Sequence, residues 1–284
     1  MPDFGIFRGF GEKLAQGQTP TQLGLIGSSI YGFDIDAIAF FTRVTNAGGT
    51  LSTTEKNATN KLVLDMKSAG IWSAMKAIYP MVGASAAACA QNLKSSSFEG
   101  SFTATGWTFA STGVTPNGTS AYMDTFLAPS GNISQNDGHA SLYSRSNVTT
   151  TLGIDLGVGY TGPNDAFYLS AFYSYFTGGG AISNINGSGF NTLGSNTTSL
   201  GFFLSQRTTS LVTDIYQNNS LVQNRSSTSY TPSTNTVNLG RNTTGEYSNR
   251  ELAFVSLGAS FDATQRGNLY TAVQAFQEAL NREV

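Results

Sequence analysis

The chain has 284 residues, 39% of them hydrophobic and 12% aromatic, which is enough apolar material for one large domain with an appendage. Only 11% are charged, the formal net charge is −2, and the 15 Lys and Arg are scattered, which excludes the basic footprint that nucleic-acid binding needs. One cysteine, Cys89, excludes an internal disulfide, one histidine argues against a zinc site, and 32 glycines against 7 prolines predict a turn-rich, mainly β body.

In chain order, residues 1–33 come first as an N-terminal anchoring segment. Phe4, Phe7, Phe10 and Leu14 recur at helical spacing with Ile6 among them, but Gly5, Gly9 and Gly11 weaken a helix standing alone. The segment is therefore expected to order on a partner, since apolar side chains left in water invite aggregation. Asp3, Arg8, Glu12 and Lys13 interrupt any apolar core there, so no secretory signal is expected, and no run of about 18 apolar residues predicts a membrane span. The Asn-x-Ser/Thr triplets at Asn57, Asn117 and Asn196 accordingly read as by-products of composition.

Residues 34–90 read as a helical adaptor. Asp34 or Asp36 caps a helix with Ile38, Phe41 and Val44 on one stripe, stopped by Gly48-Gly49. Ser52 and Glu55 have capping-box spacing and open a second helix, with Leu62, Val63, Met66 and Ala69 on one face. A third apolar run, Ile71 to Tyr79, is taken with the helices. Cys89 sits among alanines that offer no thiolate stabilisation, so burial is expected.

Residues 91–284 read as a jelly-roll domain closed by a helix. Leu152 to Val158 alternates, Ala166 to Phe176 is apolar on both faces, and Leu211–Tyr216 and Leu221–Gln223 flank a hairpin tip at Asn218-Asn219. Thr236–Gly240 and Leu252–Leu257 are further strands. Asp262 and Gln265 start an amphipathic helix with Leu269, Val273, Phe276 and Leu280 on one stripe, expected to pack across the sandwich.

SLGFFLSQR, LVTDIYQNNSLVQNRSS, VNLGRN and ELAFVSLGASFDATQRGNLYTAV, in that order, resemble the second half of a concanavalin A-like, laminin-G-type jelly roll. The marks are the hairpin Tyr216–Leu221, the strand ending Leu239-Gly240-Arg241, and Phe254–Tyr270. SAGIWSAMKAIYPMVG, GWTFASTGVTPNGTSAYMDT and YTAVQAFQEALNREV resemble bacteriophage structural proteins with a helical lead-in and a laminin-G-like head. FGIFRGFGEKL followed by TPTQLGLIG is similar to the segments that precede such heads. The resemblance implies a mainly β, concanavalin A-like sandwich and a virion location. It implies a fibre, spike or decoration held by capsid or tail proteins through residues 1–33, self-assembling, with trimers common among such appendages, and displaying its head toward host-surface glycans.

Glycoside hydrolysis requires two facing carboxylates, and no strand carries the Glu-x-Asp-x-x-Glu pattern of the commonest sandwich hydrolases. A pair formed across loops from Asp155, Asp165 and Glu246 stays open, as does a polysaccharide depolymerase or a purely architectural part. The expectation is nonetheless a protein that is not an enzyme. His139 lacks a nucleophile elbow and reads as a structural residue. No cofactor or metal is expected, calcium included, because no dense acidic loop appears. The loops GVGYTGPND and RNTTGEYSN offer rings beside amide and carboxylate groups, so Tyr160, Asn164, Asp165 and Tyr247 are the candidate glycan contacts.

Overall fold

The structure, a computed structural model, describes residues 32–158, 166–174, 178–187 and 193–284. Its first helices begin where the capping residues place them. Asp34 caps α1 (Ile35–Asn46) by accepting from the Asp36 amide, and Ser52 and Glu55 close a reciprocal capping box on α2 (Thr53–Ser68). The buried face of α1 is Ala37, Phe40 and Val44 rather than the expected Ile38–Phe41–Val44 stripe. Phe41 instead stands half-buried, edge-on to Phe33 with ring centres 5.4 Å apart.

Ile71 to Tyr79 is the main correction to the helical reading of this region. After a single 3-10 turn at Trp72–Ala74 the chain becomes strand β1 (Met75–Tyr79), which pairs antiparallel with β14 (Leu252–Gly258). Met75, Ala77, Ile78 and Tyr79 are all buried, so alternation is absent and the apolar run is indistinguishable from a buried helix by period. A short helix, α3 (Ala86–Cys89), follows; Cys89 is buried and desolvation pushes its thiol up to about 12.

Two antiparallel sheets make the body. The first runs β12 (Ser220–Ser226), β11 (Val212–Gln217), β10 (Gly201–Arg207), β6 (Gly138–Ser144), β14, β4 (Gly113–Pro116) and β3 (Trp107–Ala110), with β1 also on β14. The second runs β2 (Ser101–Phe102), β5 (Met123–Asp124), β13 (Asn238–Leu239), β7 (Leu156–Val158), β8 (Ala166–Tyr173) and β9 (Gly180–Gly187). The β11–β12 hairpin turns at Asn218 and Asn219, whose φ of 48° and 65° is the left-handed pair that a tight primed turn needs.

Each face of the first sheet has its own core. Toward the second sheet, Leu142, Phe203 and Val255 meet Leu169, Ile185 and Leu239. On the other side Tyr143, Phe202 and Phe254 meet Leu62 and Met66 of α2 and Leu269, Val273 and Phe276 of α4 (Ala263–Ala279), whose capping box is Asp262 and Gln265. The architecture is thus two packed antiparallel β-sheets flanked by N-terminal and C-terminal helices, broadly jelly-roll-like. His139 lies wholly buried at the start of β6, its Nδ1 2.5 Å from the Ala259 carbonyl and its Nε2 2.9 Å from Ser256 Oγ. Desolvation lowers its pKa to about 4, so it is a neutral structural residue. No helix among the described residues is long and apolar enough to cross a membrane, and none of them gather into a group of three or more His, Cys, Asp or Glu that could hold a metal ion.

Candidate functional site

Where β13 ends, Leu239-Gly240-Arg241 turns the chain out of the second sheet. Gly240 takes φ +82° and donates its amide to the Asp155 carbonyl, while its own carbonyl accepts from the Ser248 amide. Between these anchors Asn242 organises the excursion, its Oδ1 accepting from the Thr244 and Glu246 amides at 3.1 Å each. Tyr247 is brought back to bridge both Ile154 and Arg241.

The half-buried groups on this rim form one cluster. The Arg241 guanidinium carbon lies 3.3 Å from the centre of the Tyr122 ring and 5.6 Å from that of Tyr247, and Nη1 donates to the Tyr247 hydroxyl at 3.0 Å. Glu246, beside it, accepts from the Tyr173 hydroxyl at 2.6 Å and from Asn242 Nδ2 at 2.5 Å. Phe172 and Ser174, flanking Tyr173 in sequence, line a cleft of about 390 Å³ with Thr149, Gly178, Gly179 and Thr197. On the rim itself, tyrosine rings, a cation and a carboxylate lie together, and the chemistry they offer is stacking plus directional hydrogen bonding.

Beneath the rim lies a wholly buried ion pair. Arg250 Nη1 is 2.9 Å from Asp155 Oδ1, and both side chains have no exposed surface. The remaining Arg250 donors reach the carbonyls of Val148, Gly153 and Phe172 and the hydroxyls of Ser170 and Thr151. Asp155 also accepts from Ser248 Oγ at 2.5 Å and from the Ala171 amide at 2.7 Å. With both oxygens occupied and no path to solvent, Asp155 is a brace and does not form a catalytic pair with Glu246.

Of the four expected glycan contacts, Tyr247 stands on this rim, whereas Tyr160, Asn164 and Asp165 lie outside the described residues. Val158 and Ala166, which bound those three in sequence, are at the opposite end of the β7–β8 pair from Ile154 and Tyr247. The docking residues Phe4, Ile6, Phe7, Phe10 and Leu14 also fall outside the described residues. Tyr122, Tyr173 and Arg241 were missed as site residues. Leu239-Gly240-Arg241 was visible only as a mark of the fold, and the two tyrosines come from β8 and from just before β5, both far away in sequence.

No model of a known protein family and no curated protein matches the sequence. Solved structures similar to the chain include domain 4 of AbnA, a GH43 extracellular arabinanase from Geobacillus stearothermophilus, in complex with arabinotriose, at 14% identity and a TM-score of 0.47 over 69% of this chain and 97% of that one. Trypanosoma rangeli sialidase is similar at 9% identity and a TM-score of 0.41 over 76% of this chain. The botulinum neurotoxin serotype D binding domain is similar at 7% identity and 0.37 over 73%. The matched part is only 38% of the sialidase chain and 52% of the neurotoxin chain. The expectation that the protein is not an enzyme is overturned by this set, because arabinanase and sialidase, enzymes by name, stand in it.

Proposed function

We propose that the protein engages carbohydrate through the rim of Tyr122, Arg241, Glu246 and Tyr247, and that it does so as a bacteriophage virion component. The observation that carries the carbohydrate reading is the convergence of two tyrosines, a guanidinium and a tethered carboxylate on one loop rim. Sugars present C–H faces that pack on rings and hydroxyls that pair with such groups. Glu246 is the carboxylate that would act if the rim cleaves a polysaccharide rather than retaining it, and a depolymerase is the form of the reading that the enzyme names favour.

The virion part rests on the resemblance of the lead-in and head sequences to phage structural proteins, with residues 1–33 as the anchor to capsid or tail proteins. A screen of the full chain against host-surface glycans, with an assay for new reducing ends, tests the first part. Retention lost in Tyr247→Ala, or reducing ends lost in Glu246→Gln, is the expected result. Neither retention nor cleavage of any polysaccharide overturns it and leaves an architectural part. Deleting residues 1–33 is expected to leave a folded head that no longer joins particles, and normal incorporation overturns the anchor.

A further inference from the structure

We infer that the rim selects acidic polysaccharides, with Arg241 gripping the carboxylate of a uronic acid; this rests on the carbohydrate reading above and adds the class of sugar. The ion pairs of the described residues give Arg145 a partner in Glu251 and Arg250 one in Asp155, but none of them involves Arg241. Its stabilisation comes instead from the ring face of Tyr122 and the hydroxyl of Tyr247, which orient a cation without neutralising it. Among the described residues Nε is unpaired but buried, and Nη2 makes no hydrogen bond, so the half-buried guanidinium offers a ligand its Nη1–Nη2 edge, where Nη1 has already given one hydrogen to Tyr247.

The neighbouring carboxylate does not fill that role. Glu246 is held on its own two donors, the Tyr173 hydroxyl and Asn242 Nδ2, and forms no ion pair with Arg241. An incoming carboxylate matches the planar guanidinium edge to edge and makes charge-assisted bonds, in a plane that continues the stack on Tyr122. A sulfate or phosphate ester can present two oxygens to the same edge, so a sulfated polymer is the competitor that the experiment below separates from a uronate. The remainder of the sugar then has the Tyr247 ring for its C–H face and the Glu246 carboxylate for its hydroxyls, while buried Asn242 only holds Glu246 in place.

Affinity electrophoresis of the full chain through gels holding polygalacturonate, alginate or hyaluronan, each beside its carboxyl-reduced form, tests this. The expected result is binding to at least one acidic polymer about tenfold or more tighter than to its reduced form, weakening with salt. Arg241→Gln is expected to erase that preference, and Arg241→Lys to restore only part of it, because lysine keeps the charge without the planar fork. Equal binding of a polymer and its reduced form overturns the inference but leaves the carbohydrate reading standing, as does stronger retention by dextran sulfate than by every uronate. Retention by no polymer of either kind, acidic or neutral, overturns both. If Arg241→Gln melts early, the wild-type comparison of the paired polymers still decides.

Discussion

Arg241 and Arg250 bound one excursion between β13 and β14, yet they occupy opposite physical regimes. Arg250 has no exposed surface, a carboxylate at 2.9 Å and acceptors from Val148 to Phe172 around it. Arg241 is half-exposed, stacked on tyrosine, and without a carboxylate partner among the described residues. Since a buried charge that loses its partner is strongly penalised while a cation–π contact near the surface is weak, the first arginine holds the loops in place and the second contributes little to them.

That contrast breaks first at Arg250. Arg250→Met leaves Asp155 buried and uncompensated, and is expected to cost about 3–5 kcal/mol in urea denaturation; a loss under about 1 kcal/mol would mean the pair does not brace the rim. The next largest effect belongs to His139, another wholly buried group of the frame. Its pKa falls from 6.5 to about 4 on folding, so the unfolded chain binds the extra proton between those values. Stability is therefore full above about pH 6.5 and declines by about 3 kcal/mol as pH drops to about 4. Denaturation curves across that window should slope in the wild type and flatten in His139→Gln, and an unchanged slope would assign the acid loss to other groups. Asp262→Ala removes the cap of α4 and is expected to cost about 1 kcal/mol without touching the rim. The smallest expected change sharpens the comparison from the other side: Arg241→Gln should shift unfolding by less than about 1 kcal/mol, and a larger loss would make Arg241 part of the frame as well.

What the sequence made legible follows local chemistry. Ser52 with Glu55, Asp262 with Gln265, and the Asn218-Asn219 tip each signal their structure within a few residues, and each is found where that signal puts it. Met75–Tyr79 was not legible as a strand because its partner, β14, lies near the far end of the chain and both its faces are covered. The rim was legible only in part, for a related reason. Tyr247 shows as a ring in a Gly- and Asn-rich loop, but its relation to Tyr122, Tyr173 and Arg241 exists only once β5, β13, β7 and β8 are laid in one sheet. Asp155 could be singled out as a carboxylate, yet nothing local discloses that Arg250 and Ser248 enclose it.

The position of Asp34 gives the molecule a polarity. Its amide donates to Asn60 Oδ1 and its carboxylate meets Lys67, so Gly32 and Phe33 enter against α2, on the helical roof over the first sheet. The rim of Tyr122, Arg241 and Tyr247 lies at the strand ends of the second sheet, where β5 and β13 pair. The described chain therefore begins on the helical side of the first sheet, whereas Arg241 and Tyr247 stand on the loop that leaves the second, so the two features occupy different layers of the molecule.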